Sequence, residues 1–205
     1  MILALLAAIL FALWRSWDNS EQRLFWYFYA QLIYTLLGYG AYKLFGDTSW
    51  QYLTVYLLGT SIILVTMARI VWEAVKRKSK LLGIPGVLSF GLGALAASGL
   101  HPMSLYEWAG VLEGSLLMGC AVVIGYSAYY HARHDIRLIL ASLWTVLGLF
   151  RLGFYLNLPS EAWLKMNWQI PGWSCVMAFT LIGFRLGLKG LDASSAVLES
   201  RQSLR

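Results

Sequence analysis

Residues 50–80 read WQYLTVYLLGTSIILVTMARIVWEAVKRKSK. The segment opens on Trp50 and Tyr52, continues as an apolar run, and closes on Arg69, Glu73 and the basic run KRKSK. About 20 apolar residues cross a bilayer core as a helix, and this segment supplies them. Aromatic rings collect at membrane–water boundaries, and Lys and Arg are held on the cytoplasmic side. The closing run is the densest positive charge in the chain. It therefore orients every other apolar segment.

Composition extends this reading to the whole chain. Of 205 residues, 59% are hydrophobic and 13% charged, with a mean hydropathy of +0.62. A soluble domain carries about 25% charged residues, so roughly half the charge needed to cover a water-facing surface is missing. The net charge of +6 does not indicate nucleic acid, because the basic residues sit in short loops between apolar runs. Cys120 and Cys175 stand alone inside apolar segments, without the spacing of a disulfide framework or a zinc site. They read as small packing residues.

Seven spans are expected, at about 2–14, 24–45, 50–80, 81–100, 106–130, 138–157 and 167–188, followed by a polar tail at 190–205. The first has no basic residue before it and no clear cleavage box after it, so it reads as an uncleaved anchor. In the second, Tyr27, Gln31, Tyr34, Gly38 and Tyr42 share one face. In the third, Tyr52, Tyr56, Gly59, Ile63, Thr66, Ile70 and Glu73 recur at heptad spacing. The fourth carries Ser89, Gly93 and Ala97, a small-residue series that permits close helix approach. On this layout thirteen of the sixteen Lys and Arg residues fall on one side; only Lys43, Lys165 and Arg151 do not. The expected fold is therefore an all-α bundle of seven transmembrane helices over 1–189, with the N-terminus outside and the C-terminus in the cytoplasm.

A faint repeat accompanies this layout. Tyr34-Thr35-Leu36-Leu37-Gly38 is echoed by Trp144-Thr145-Val146-Leu147-Gly148, and the next span opens with Trp-Gln in both cases, at Trp50 and Trp168. Two parallel three-helix units joined by a linking span would have this form.

Ionisable residues within spans are the best functional pointers in such a chain. Glu113 and Arg151 each lie about 10 Å below the outer surface at about 1.5 Å per residue. They form a candidate pair, and Tyr155, Tyr52, Tyr56 and Tyr42 are at similar or shallower depth. A structural ion pair pinning two spans is the favoured reading; an outward-opening polar pocket is the other. Arg69 and Glu73, four residues apart near the inner boundary, read as an anchor. His131 and His134 beside Asp135 give too few ligands on one helical turn for a metal site. No span holds a His for haem, so neither cofactor nor metal is expected. No Ser/His pair or carboxylate cluster shares a depth, which argues against membrane proteolysis and leaves no catalytic residue to name.

Seven helices invite comparison with retinal proteins, but the last span has lysines only at its margins, Lys165 and Lys189. The three-plus-one-plus-three layout resembles small sugar transporters of the SWEET type, without their Pro-Gln signature or hinge prolines. The general build is similar to short bacterial seven-helix proteins and to the membrane halves of sensor kinases. With no catalytic constellation present, the expected protein is a non-enzymatic bacterial inner-membrane protein that senses a small lipophilic ligand or serves as an accessory subunit beside other membrane subunits. The alternative is a small transporter.

Overall fold

The computed structural model describes residues 1–19, 21–46, 49–76, 105–130, 135–155 and 169–202. Within these, only the backbone is described at 73–76, 105–109, 130, 135, 154–155 and 190–202. All described secondary structure is helical: α1 (Ile2–Asp18), α2 (Gln22–Phe45), α3 (Trp50–Lys76), α4 (Leu105–Tyr130), α5 (Asp135–Tyr155) and α6 (Gln169–Gln202). Six helices are thus described where seven were expected; the expected span at 81–100 lies outside the described residues, as do His101, His131 and His134. α6 continues through most of the polar tail expected from residue 190, to Gln202. Its segment LDASSAVLESRQ has no Gly or Pro, and seven of its twelve residues (two Leu, two Ala, Glu, Arg and Gln) are strong helix formers.

Four helices have the length and apolar composition to cross a membrane, over Trp50–Trp72, Gly110–Tyr129, Ile136–Gly153 and Gln169–Lys189. α1 has 17 residues, about 25 Å at 1.5 Å per residue, shorter than a 30 Å hydrocarbon core. α2 is long enough, but Gln22, Arg23, Gln31, its tyrosines and its glycines dilute it. Chain polarity is set by short turns. Asn19 Nδ2 donates to the Arg15 carbonyl (2.8 Å), closing α1. Gly46 ends α2 at a positive φ of 77°, a conformation open to glycine at no steric cost. The Ser49 hydroxyl then accepts from the Tyr52 amide (3.1 Å), capping α3.

The helices pack as a ring in chain order, α1 through α6, with α6 closing on α1. Directions follow from which residues meet. Tyr34 packs on Gly59 and Tyr42 on Tyr52, so α2 and α3 are antiparallel. Gly114 meets Gly148 and Gly125 meets Ala141, so α4 and α5 are antiparallel too. Gly183 lies against Phe11 and Gly187 against Arg15, which makes α1 and α6 parallel. Tyr27 meets Trp144 and Tyr34 stands by Arg151, so α2 and α5 run parallel; their antiparallel partners α3 and α4 are therefore parallel too, with Tyr56 and Glu113 meeting near the start of each. The direction pattern of α1–α3 therefore recurs in α4–α6.

The ring interior is an aromatic and aliphatic core of Tyr27, Phe28, Trp144, Phe179, Ile9, Met67, Ile124 and Leu140. Large apolar residues such as Leu3, Trp50, Leu58, Val65 and Phe184 cover the outside. In lipid, hydrocarbon outside is as apolar as the core, so dispersion and close approach hold helices together. α4 is the most enclosed candidate span, 56% buried against 17% for the span in α3. Its approach to α5 needs glycine. A Cβ on Gly148 would stand 2.9 Å from the Gly114 carbonyl oxygen and 2.7 Å from Met118 Cγ, whereas one on Gly125 would meet Ala141 at an ordinary 3.6 Å. Alanine also gains up to about 1 kcal/mol of helix propensity over glycine. Gly125→Ala should therefore hold or raise stability in a detergent melt, and Gly148→Ala should lower it by about 1–3 kcal/mol through overpacking.

Candidate functional site

Three helices bring a polar cluster together near one end of the ring. Tyr56 is six residues into α3, Glu113 eight into α4 and Arg151 four from the end of α5. At 1.5 Å per residue these positions are about 6–12 Å from the helix ends. Arg151 Nε lies 3.3 Å from Glu113 Oε2, and the Tyr56 hydroxyl donates to that same oxygen. The Arg151 guanidinium also stands 5.5 Å from the centre of the Tyr56 ring, within cation–π range. Tyr56 is buried, while the Arg151 and Glu113 side chains keep 20% and 15% of their exposure. Tyr34 backs the cluster from α2, its ring 6.5 Å from that of Tyr56 and lodged on Gly59, with Thr60 buried beside it.

Each partner is favoured by its neighbours. A carboxylate that accepts from a phenol while facing a guanidinium has a charge-assisted bond, roughly twice as strong as a neutral one, and an ion pair beside it. The positive charge is balanced by the carboxylate and faces the negative side of an aromatic ring. The cluster can tie α3, α4 and α5 together at this depth. It can also offer a neutral, polar lining to a ligand entering from this end.

The other expected site residues are distributed differently. Tyr42 and Tyr52 pair with each other, ring centres 6.3 Å apart, about one turn nearer the end than Tyr56. Tyr42 is half exposed. The side chains of Tyr155 and Glu73 lie outside the described residues, so the expected Arg69–Glu73 anchor is described only at Arg69, which is exposed. Cys120 and Cys175 are free thiols packed against the core. Among the described residues no group of three His, Cys, Asp or Glu could hold a metal.

A second polar site was not singled out from sequence. In the core, Trp144 Nε1 donates to the Tyr27 hydroxyl (3.0 Å), and Gln31 Nε2 donates to it as well (3.3 Å). The i,i+4 spacing of Tyr27 and Gln31 was visible; Trp144, 117 residues away, was not linked to them by any pattern. At the opposite end of the ring, Arg15 is 3.6 Å from Asp18 and 4.7 Å above the Trp14 ring, packed on Gly187.

No protein-family model, curated protein or solved structure matches this chain.

Proposed function

We propose that the chain is a non-enzymatic, multi-pass protein of the bacterial inner membrane that acts as a ligand-sensing or accessory module. The observation that carries this reading is the engagement of Glu113. A carboxylate that moves protons or cations must exchange partners during transport. Here the single intramembrane carboxylate of α4 is held by Arg151 and Tyr56 together. That favours a fixed binding or assembly surface. Seven crossings belong to this reading. α3 and α4 are parallel, so α3 ends on one face of the ring and α4 begins on the other, which supports a return crossing at 81–100. Positive charge then orients the N-terminus outward and the C-terminus inward.

Topology is tested by reporter fusions. Fusions after Lys80, Arg137 and Arg205 should report cytoplasm, and those near Asp47, His101 and Glu161 the outside. An inside signal at Asp47 would remove one of the first two spans. Function is tested by native purification in mild detergent, with mass spectrometry of everything retained. A stoichiometric membrane subunit or small molecule is the expected result.

One observation favours transport as a second reading. The directions of α1–α3 recur in α4–α6, as in transporters built from parallel repeats. The matched glycines nevertheless do different work: a Cβ on Gly38 would meet nothing, whereas Gly148 is closely packed. A chain that purifies alone and supports substrate-dependent flux in liposomes would establish the transporter instead.

A further inference from the structure

We propose that the furrow between α2 and α3 holds one acyl chain of an anionic phospholipid, with its phosphate beside Arg69. This goes beyond the functional reading above and requires only that the bundle sits in a bilayer.

The furrow has a volume of about 370 Å³ and is almost wholly apolar. Trp26, Tyr29 and Ile33 form one wall; Leu58, Ile62 and Thr66 form the other. The Thr66 hydroxyl is turned back onto its own helix, donating to the Ile63 carbonyl (2.8 Å). A polar ligand body would lose its water here and gain little, so the chemistry selects hydrocarbon. The lining extends along α2 from Trp26 to Leu37, about 16 Å at 1.5 Å per residue. That is about half of a 30 Å hydrocarbon core, the reach of one chain in one leaflet. Leu58 and Ile62 are more than half exposed, so the furrow opens sideways to lipid.

One end of the furrow is built differently. On α3 the lining positions Ile62 and Thr66 are followed in register by Arg69, seven residues after Ile62, and Arg69 is exposed. On α2, Trp26 borders a second recess of about 530 Å³, shared with Ser16, Trp17, Gln22 and Phe25. Arg23 is exposed on the same turn. Of the acidic residues near this rim, Asp18 is engaged by Arg15 (3.6 Å), Glu21 precedes α2, and Glu73 is one turn beyond Arg69, its side chain outside the described residues. An apolar lane thus leads to an amide, two arginines and two tryptophans at the boundary. An anionic headgroup on a single chain complements both parts, and basic residues at a membrane surface each favour anionic lipid by about fivefold.

The test uses the full chain in nanodiscs of equal phosphatidylglycerol and phosphatidylcholine, released for native mass spectrometry. One phosphatidylglycerol per chain should be retained in preference to phosphatidylcholine. Arg69→Gln should lower that preference about fivefold while a lipid remains bound. Ile62→Trp should fill the lane and remove both lipids; Leu58→Trp supplies the same readout should Ile62→Trp fail to fold. Absence of a retained lipid, equal retention of both lipids by the unaltered chain, or retention unchanged in every variant would overturn the proposal. So would a dimer that Ile62→Trp dissociates, which would make the furrow a surface for a second copy.

Discussion

Glu113→Gln and Arg151→Gln should each lower the unfolding free energy in detergent by about 3 kcal/mol, and the double substitution should recover at least half of either loss. The pair is close, with Arg151 Nε 3.3 Å from Glu113 Oε2, and both side chains are largely enclosed. Removing one member of such a pair leaves the other unpaired in a medium that solvates it poorly, a loss of about 3–5 kcal/mol. The remaining side-chain exposure of 20% and 15% places the expectation at the lower end. Tyr56 makes the two singles unequal. Arg151→Gln leaves Glu113 the phenol as a donor, whereas Glu113→Gln replaces the carboxylate facing the guanidinium with a neutral amide. Glu113→Gln should therefore be the more damaging. Tyr56→Phe should cost only about 0.6–1.7 kcal/mol, the range of interhelical hydrogen bonds in membranes. Thermal unfolding of the four proteins closes the cycle. Strictly additive losses would mean that the two charges do not stabilise one another.

Trp144→Ala should be equally destabilising, by about 3–5 kcal/mol, for a different reason. Trp144 is fully buried at the centre of the ring, edge-on to Tyr27 with ring centres 6.0 Å apart. Truncation removes a large side chain from a packed interior and leaves a cavity that neighbours fill only in part. Trp144→Phe keeps most of that volume and deletes the donor to Tyr27, and Tyr27→Phe deletes the acceptor. Both should cost about 0.6–1.7 kcal/mol. A much larger loss for alanine than for phenylalanine would show that packing outweighs the hydrogen bond at this position. Equal losses for Trp144→Ala and Trp144→Phe would instead assign the effect to the hydrogen bond.

These two sites differ in how far they could be read from the chain. Helicity and the membrane environment are written in composition and hydropathy, because apolar length and charge count are local properties. The depth of Glu113 and Arg151 was legible too, since a helix advances a fixed distance per residue. Rotation about each helix axis and choice of neighbours were not. The third span shows this. The heptad read from its sequence includes Tyr56, Gly59, Thr66 and Ile70; of these Tyr56 and Ile70 lie on the buried line, together with Thr60 and Met67, which the heptad leaves out. Gly59 and Thr66 turn instead toward the furrow shared with α2. The tyrosines of α2 likewise share one face in sequence yet divide in space: Tyr27 enters the core, Tyr34 backs the polar cluster, and Tyr42 joins Tyr52.

The sequence by itself determined an all-helical chain with membrane-spanning apolar segments, and an acid and a base at one depth. Only the tertiary structure decided that Tyr56 completes that pair, that α3 and α4 run parallel, and that Trp144 reaches Tyr27 across the ring. The reason is physical. Depth follows from the rise of one helix, whereas partnership depends on lateral packing among several, and lipid-like surfaces on every side give a lone helix no preferred face.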